Sequence, residues 1–376
     1  MKAFDQTFKV PRSFFQCAFM LLGCLLLTSC DLSNATQRKS SEATSHSKTA
    51  TVTLLSQERP KQLAHVQLLN STHWVVADFG SIWKTEDAGV TWKRTLGPFD
   101  EKGDGDSSGG LSFIDERVGF AVLALKVFGS IDRGTSWTHL SEPDFAPRNI
   151  FFVDAMNGWG AGFDWTDDTV KSRKLLYVGK LWRTKDAGKT WREQSLPKTY
   201  MDTHSDRWDL KDIWFSDPRK GWAVGKGVFL HTEDAGETWK ELKVHEDFSR
   251  ITFMKADLGW AAHRDSGDFE LTHDGGRRWN HIETLDQNDE ARVIFVTPQE
   301  GFAIHNSLRF LSTTDAGQNW HPVTVPNDPL SQLQTASDLD TYVGRAKDGT
   351  LVALWLVGKP IGFLSIVSTD GGKSWK

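Results

Sequence analysis

The chain has 376 residues, 44 Lys+Arg against 49 Asp+Glu, a formal net charge of −5 and 39% hydrophobic residues. That balance excludes a disordered or fibrous chain and argues against nucleic acid as the main partner, which calls for a concentrated basic surface. Seventeen Trp beside three Tyr is the outlying count, and it points to one motif copied many times.

Met1 to Arg12 carries Lys2, Lys9 and Arg12, and Ser13 to Leu27 follows as a mostly apolar stretch. It is shorter than the about 20 residues of a membrane span and has the size of a secretory h-region. It ends in Leu27-Thr28-Ser29-Cys30, which resembles the lipobox of bacterial lipoproteins. The resemblance implies cleavage before Cys30, a lipid (diacylglycerol and palmitate) on its thiol, and a place in the bacterial cell envelope. Cys17 and Cys24 lie in the segment that would be removed. Cys30 is then the sole mature cysteine, so a disulfide within one mature chain and a cysteine zinc cluster are both excluded. Asp31 resembles the signal that holds some lipoproteins on the inner membrane, with the outer membrane as the alternative. The expected organisation is a signal peptide over 1–29, a lipidated Cys with a flexible Ser/Thr/Ala-rich tether over 30–50, and a periplasm-facing body over 51–376.

The body is repetitive. Thr85-Glu86-Asp87-Ala88-Gly89-Val90-Thr91-Trp92 recurs as Ser130 to Trp137, and again from Thr184, Thr232, Thr272, Thr313 and Ser368. Its aspartates are Asp87, Asp132, Asp186, Asp234, Asp274, Asp315 and Asp370. Arg278 and Asn319 stand where Ser or Thr is usual. The pattern Ser/Thr-x-Asp-x-Gly-x-Ser/Thr-Trp resembles the Asp box, or bacterial neuraminidase repeat. A short carboxylate can accept backbone N–H groups across a tight turn, Gly permits a positive φ, and Trp covers the turn with a large apolar face. One such residue per repeat is what a repeated turn demands, so these aspartates are expected to be structural and no catalytic residue is assigned.

A second element precedes most boxes: Phe113-x-Asp115-x-x-x-Gly119-Phe120 is echoed from Phe152 and Phe215, and more weakly from Phe253 and Phe295. Each unit thus reads as apolar strand, polar turn, Gly-aromatic strand, third strand, box turn, and a fourth strand opening with Trp. Successive box aspartates are 45, 54, 48, 40, 41 and 55 residues apart. Four short strands per unit of roughly 45 residues is the spacing of a propeller blade. The expected fold is therefore all-β, a seven-bladed β-propeller with four-stranded antiparallel blades. The last box ends at Trp375, one residue before the end of the sequence. Thr51 to Leu55, ahead of a first inner strand near His65 to Leu69, is predicted to serve as the outer strand of the last blade and close the ring.

If the boxes occupy one face, the long insertions, Phe99 to Gly110, Phe163 to Val178 and Leu196 to Leu210, fall on the other. They carry Trp165, Tyr177, Tyr200 and Trp208, aromatics of the kind enriched at binding surfaces. Arg148, Lys211, Arg250 and Arg292 lie at or near the starts of inner strands, where a ring of cations would attract an anion. Pairing with nearby acids such as Asp212 or Asp144 is the alternative. Asp104 and Asp106 miss the calcium-loop spacing, so no metal and no cofactor is assigned.

The tandem units resemble the photosystem II stability/assembly factor family. That resemblance implies a non-catalytic propeller that binds a protein partner, such as a membrane-protein complex, or another envelope component such as a glycan. The contacts would fall to Trp165, Tyr177, Tyr200, Trp208, Arg148, Arg250 and Arg292, with the lipid anchor as the only membrane contact and no nucleic acid partner. Sialidases also carry the box, so a sialidase-like glycoside hydrolase is the alternative. The Arg-Ile-Pro segment of that family does not occur, and Tyr177, Tyr200 and Tyr342 have no evident carboxylate partner.

Overall fold

The computed structural model describes residues 58–78, 80–99, 110–165, 177–197, 210–243, 247–263, 268–282, 291–305, 309–325, 339–357 and 362–376. In the first repeat, β1 (His65–Leu68), β2 (Trp74–Asp78), β3 (Ser81–Thr85) and β4 (Lys93–Leu96) form one antiparallel meander. The same order recurs in six further sheets. Their innermost strands are β5 (Gly110–Phe113), β9 (Ala146–Phe152), β13 (Leu210–Phe215), β17 (Phe248–Lys255), β21 (Ala291–Phe295) and β25 (Leu339–Arg345). Inner strands β1 and β5, β5 and β9, β9 and β13, β13 and β17, and β21 and β25 meet side by side, and β25 returns to β1. The chain is a seven-bladed β-propeller, and no helix occurs among the described residues.

Each box is a local hydrogen-bond lock. In blade three, the Thr184 hydroxyl donates to Asp186 Oδ1 (2.8 Å) and accepts the Gly188 amide (2.9 Å). The Thr190 amide donates to Oδ1 (2.9 Å) and the Thr190 hydroxyl to Oδ2 (2.6 Å). The two residues after the aspartate take left-handed φ, 63° at Ala187 and 80° at Gly188, which is why glycine recurs at the second of them. Where Arg278 replaces the hydroxyl residue, only its amide reaches Asp274 (2.9 Å). Asn319 instead restores the outer bond through Nδ2 to Asp315 Oδ2 (2.7 Å). The seven carboxylates lie one per sheet. The Trp ring caps the turn, as in Trp191 Nε1 to Gly188 O (3.1 Å), and strand four opens one residue after the Trp rather than on it.

The Phe–Gly element builds the contacts between blades. Phe113 and Gly119 face each other across the first hairpin of blade two, as do Phe215 and Gly221 in blade four. The ring lies over the glycine, and a Cβ at Gly119, Gly158 or Gly259 would come within 2.5–2.6 Å of ring carbon. The aromatic after each glycine then stacks on the Phe of the following blade. Phe120–Phe152, Trp159–Phe215, Trp222–Phe253 and Trp260–Phe295 have centroids 3.7, 3.8, 3.6 and 4.5 Å apart. Such pairs contribute roughly 0.5–1.5 kcal/mol each beyond burial. The ring closes without a covalent link: Leu354, Leu356 and Phe363 of blade seven pack with Leu63, Val66 and Trp74 of blade one, and the Leu63 amide donates to Asp340.

The last blade has three described strands, β25, β26 (Leu351–Val357) and β27 (Phe363–Ser368). Lys376 exchanges both backbone hydrogen bonds with Val367 at 3.0 Å, in register for a fourth strand. The segment expected to continue it, Thr51 to Leu55, lies outside the described residues, as do Cys30 and the tether.

Candidate functional site

The topology fixes which residues can meet a ligand. Box turns hydrogen-bond to the first hairpin turns of their own blades, Ala187 N to Met156 O at 3.0 Å and Ala235 N to Arg219 O at 2.8 Å. Both kinds of turn therefore occupy one face. The starts of the inner strands and the second hairpin turns face the other way, and that rim opens on the axis.

A cavity of about 690 Å³ follows the axis, walled by inner strands of blades one, four, five, six and seven and by Trp260, His263 and Phe269 of the second and third strands of blade five. Val66, Ile251, Val293 and Val343 give it apolar sides, and Arg250, Arg292, Arg345 and Lys347 supply cations. Among the described residues no carboxylate belongs to its wall. Lys347 Nζ donates to Phe113 O of blade two (3.0 Å), and Arg345 Nη1 approaches Val296 O (3.5 Å).

The Arg250 charge is felt by several groups whose shifts are set first by burial. Half-buried His65, at the start of β1, has its pKa lowered to about 3, by loss of water first and by the Arg250 charge second. Tyr342 rises to about 12 because burial outweighs the opposing pull of Arg250. Burial likewise raises Asp212 to about 6, against hydrogen bonds from Ile251 N and Asn149 and the attraction of Arg250. Asp340 is raised by burial too, against the Leu63 amide and Arg250. Asp212 joins three blades, accepting Asn149 Nδ2 (2.5 Å) on Oδ1 and Ile251 N (2.8 Å) on Oδ2. One guanidinium is thus felt by groups of blades one, four and seven, which is the long reach of a charge in a low-dielectric lumen.

The residues named from sequence divide. Arg250 and Arg292 line the cavity. Arg148, on β9, instead lies over the Phe163 ring at 5.1 Å, and neither it nor Lys211 belongs to the cavity wall. Trp165 and Tyr177 are direct cross-strand partners. Of the insertion expected as loop from Phe163 to Val178, the two ends instead extend β10 (Gly158–Trp165) and β11 (Tyr177–Thr184), and 166–176 lie outside the described residues. Tyr200 and Trp208 lie outside the described residues. Arg345 and Lys347 escaped the sequence reading, though the repeat contained a signal. Arg345 pairs with Leu351 as Phe113 pairs with Gly119, so blade seven carries Arg and Lys where blades two to four carry Phe and Asp.

Fold and cavity together define a seven-bladed propeller with a cationic axial funnel. No family model matches the chain, and no curated protein matches it. Among solved structures it is similar to YCF48 bound to D1 peptide, at 16% identity, covering 85% of this chain and all of that one, with a TM-score of 0.56. YCF48 from Cyanidioschyzon merolae is similar at 13% identity over 80% of this chain and 93% of that one, TM-score 0.54. An ancestral GH74 enzyme is similar at 10% identity over 87% of this chain, TM-score 0.58, with 47% of the enzyme's length covered. At these identities the likeness is one of fold.

Proposed function

We propose that this chain is a non-catalytic, lipid-anchored scaffold of the bacterial envelope, facing the periplasm, that holds a carboxylate-bearing segment of a protein partner in its axial funnel. The observation that carries this reading is the cavity with apolar walls and the two arginines Arg250 and Arg292 near the starts of its inner strands, with Arg345 and Lys347 at or just past the opposite end of theirs. A peptide buries its side chains on such walls while its carboxylate meets guanidinium groups, which bind it in bidentate geometry. YCF48, which shares the fold, has been solved with D1 peptide bound, and this supports a peptide as the class of guest. The Leu27-Thr28-Ser29-Cys30 segment supports the anchor, and Asp31 favours the inner membrane.

The test is capture of partners from solubilised membranes by the full chain. Arg250→Ala and Arg292→Ala should each weaken capture by roughly 10- to 100-fold, the worth of a charged hydrogen bond. Undiminished capture by the double variant would refute the funnel as the site. The GH74 likeness motivates an assay for glycoside hydrolysis on a fluorogenic sialoside and a xyloglucan oligosaccharide. Such enzymes as a rule need two carboxylates flanking the scissile bond. Turnover lost in Arg250→Ala would replace the scaffold reading with a hydrolase.

A further inference from the structure

We infer that His263, Glu270 and His281 form a binding site for one divalent transition-metal ion, zinc in the first place, on blade five. The three residues come from consecutive strands: β18 (Leu258–His263), β19 (Phe269–Thr272) and β20 (Asn280–Ile282). Glu270 stands opposite Ala261 on one side and His281 on the other. His263 is two residues beyond Ala261, so side-chain alternation sets all three on one face of the sheet.

Their donor atoms converge. His263 Nε2 is 3.2 Å and His281 Nδ1 is 3.3 Å from the same oxygen, Glu270 Oε1, and all three donors lie within 4.8 Å of one another. An ion held tetrahedrally at about 2.0–2.1 Å from each ligand separates neighbouring ligands by roughly 3.3 Å. Two of the three edges already have that length, and the third closes by rotation of His281, whose side chain is 44% exposed. The Glu270 side chain is only 8% exposed, and a buried carboxylate demands a positive counterpart. The His263 ring is steadied by an edge contact with Phe248, centroids 5.4 Å apart. Two imidazoles and one carboxylate suit zinc and its neighbours rather than calcium or magnesium, which prefer all-oxygen shells. Three protein donors leave a fourth position open. His263 also borders the axial cavity, whereas Glu270 and His281 do not belong to its wall.

The competing account is an ion-paired triad in which protonated histidines share the glutamate. Calorimetric titration of untagged, chelator-treated full-length protein with zinc distinguishes the two, alongside the absorption spectrum on titration with cobalt. The wild type should bind one equivalent with the intense visible bands of tetrahedral cobalt, and excess zinc should raise its melting temperature by about 3 °C or more. His281→Ala changes an exposed side chain. It should keep the metal-free melting temperature within about 2 °C, lose the cobalt spectrum and bind zinc at least about 100-fold more weakly. Glu270→Gln and His263→Gln should show the same loss of metal binding. Equal zinc binding by wild type and His281→Ala, or no binding by the wild type at 0.1 mM zinc (~), would overturn the site in favour of the ion-paired triad.

Discussion

Removing a box carboxylate should cost stability in proportion to the hydrogen bonds that box makes, and the protein holds its own control. Asp186→Ala deletes three acceptor contacts: the Thr184 hydroxyl, the Thr190 amide and the Thr190 hydroxyl, the last at 2.6 Å. Bonds to a charged acceptor contribute about 1.5–3 kcal/mol each in protected sites. Thr190 is exposed and can rebond to water, so the sum falls to about 2–4 kcal/mol. That corresponds to a fall in melting temperature of roughly 4–8 °C for a domain of this size. Asp274→Ala deletes two contacts, the Thr272 hydroxyl at the longer distance of 3.1 Å and the Arg278 amide at 2.9 Å. It should cost about 1–2 kcal/mol less than Asp186→Ala. Urea unfolding followed by tryptophan fluorescence gives both values, provided the slopes agree with the wild type. An Asp186→Ala protein as stable as the wild type, or an Asp274→Ala protein more damaged than Asp186→Ala, would refute the assignment of these acids to turn building.

Gly221→Ala sets a Cβ against the Phe215 ring and should destabilise by about 1–3 kcal/mol; in a Phe215→Leu background most of that cost should vanish, and an unchanged cost in a double-mutant cycle would contradict the stacking account. His65 has a folded pKa of about 3, below its unfolded value of about 6.5, so its contribution is present above pH 6.5 (about) and is lost as pH falls toward 3. Across that window stability should rise with a slope larger than that of His65→Gln by up to about 1.4 kcal/mol per pH unit, and parallel profiles would remove His65 from the account. Deleting Thr51 to Leu55 should lower the melting temperature by about 3 °C or more, because an unpaired sheet edge is left beyond the Lys376–Val367 bridge; an unaltered melting curve would exclude that segment as the closing strand. Cys30→Ser should move the protein from the membrane to the soluble fraction, and persistence in membranes would reject the lipid anchor.

The fold was legible because every repeat carries one physical signature and blades two to six carry a second. The Thr-x-Asp-x-Gly turn marks the third-to-fourth-strand corner, and the Phe–Gly pair marks the first hairpin, so their alternation fixes strand number and order. The cavity was legible only where its residues follow that rhythm. Arg250 and Arg292 sit near the starts of inner strands, where alignment of the units puts them. Arg345 and Lys347 sit where blade seven abandons the rhythm, and a search for matching positions passes over the position that differs. The His263–Glu270–His281 cluster is invisible at the sequence level for another reason. Spacings of seven and eleven residues belong to no metal motif, and only the register of three strands brings the donors to one oxygen.

The two ends of the propeller are chemically unlike, and this bears on where a partner can be gripped. At the box end the aspartates are held by their own turns, Asp274 by fewer bonds than Asp186. Burial alone would raise Asp186, but the Thr190 hydroxyl and amide and the Thr184 hydroxyl outweigh it and hold the carboxyl below its usual range. A carboxylate so satisfied has little left to offer a ligand, and disturbing it costs fold stability. In the lumen the balance is reversed: among the described residues no carboxylate lies within ion-pair distance of Arg250 or Arg292, and the nearby acids Asp212 and Asp340 accept backbone amides that join blades. Raised pKa values mean that ionising these acids is opposed by the same enclosure that strengthens the arginine field. On the proposed reading, a guest carboxylate in the funnel would supply Arg250 and Arg292 with an ion-pair partner that none of the described carboxylates provides. Neutralising the guest's carboxylate should consequently weaken capture about as much as removing an arginine, whereas shortening its apolar part should weaken capture without altering its dependence on salt.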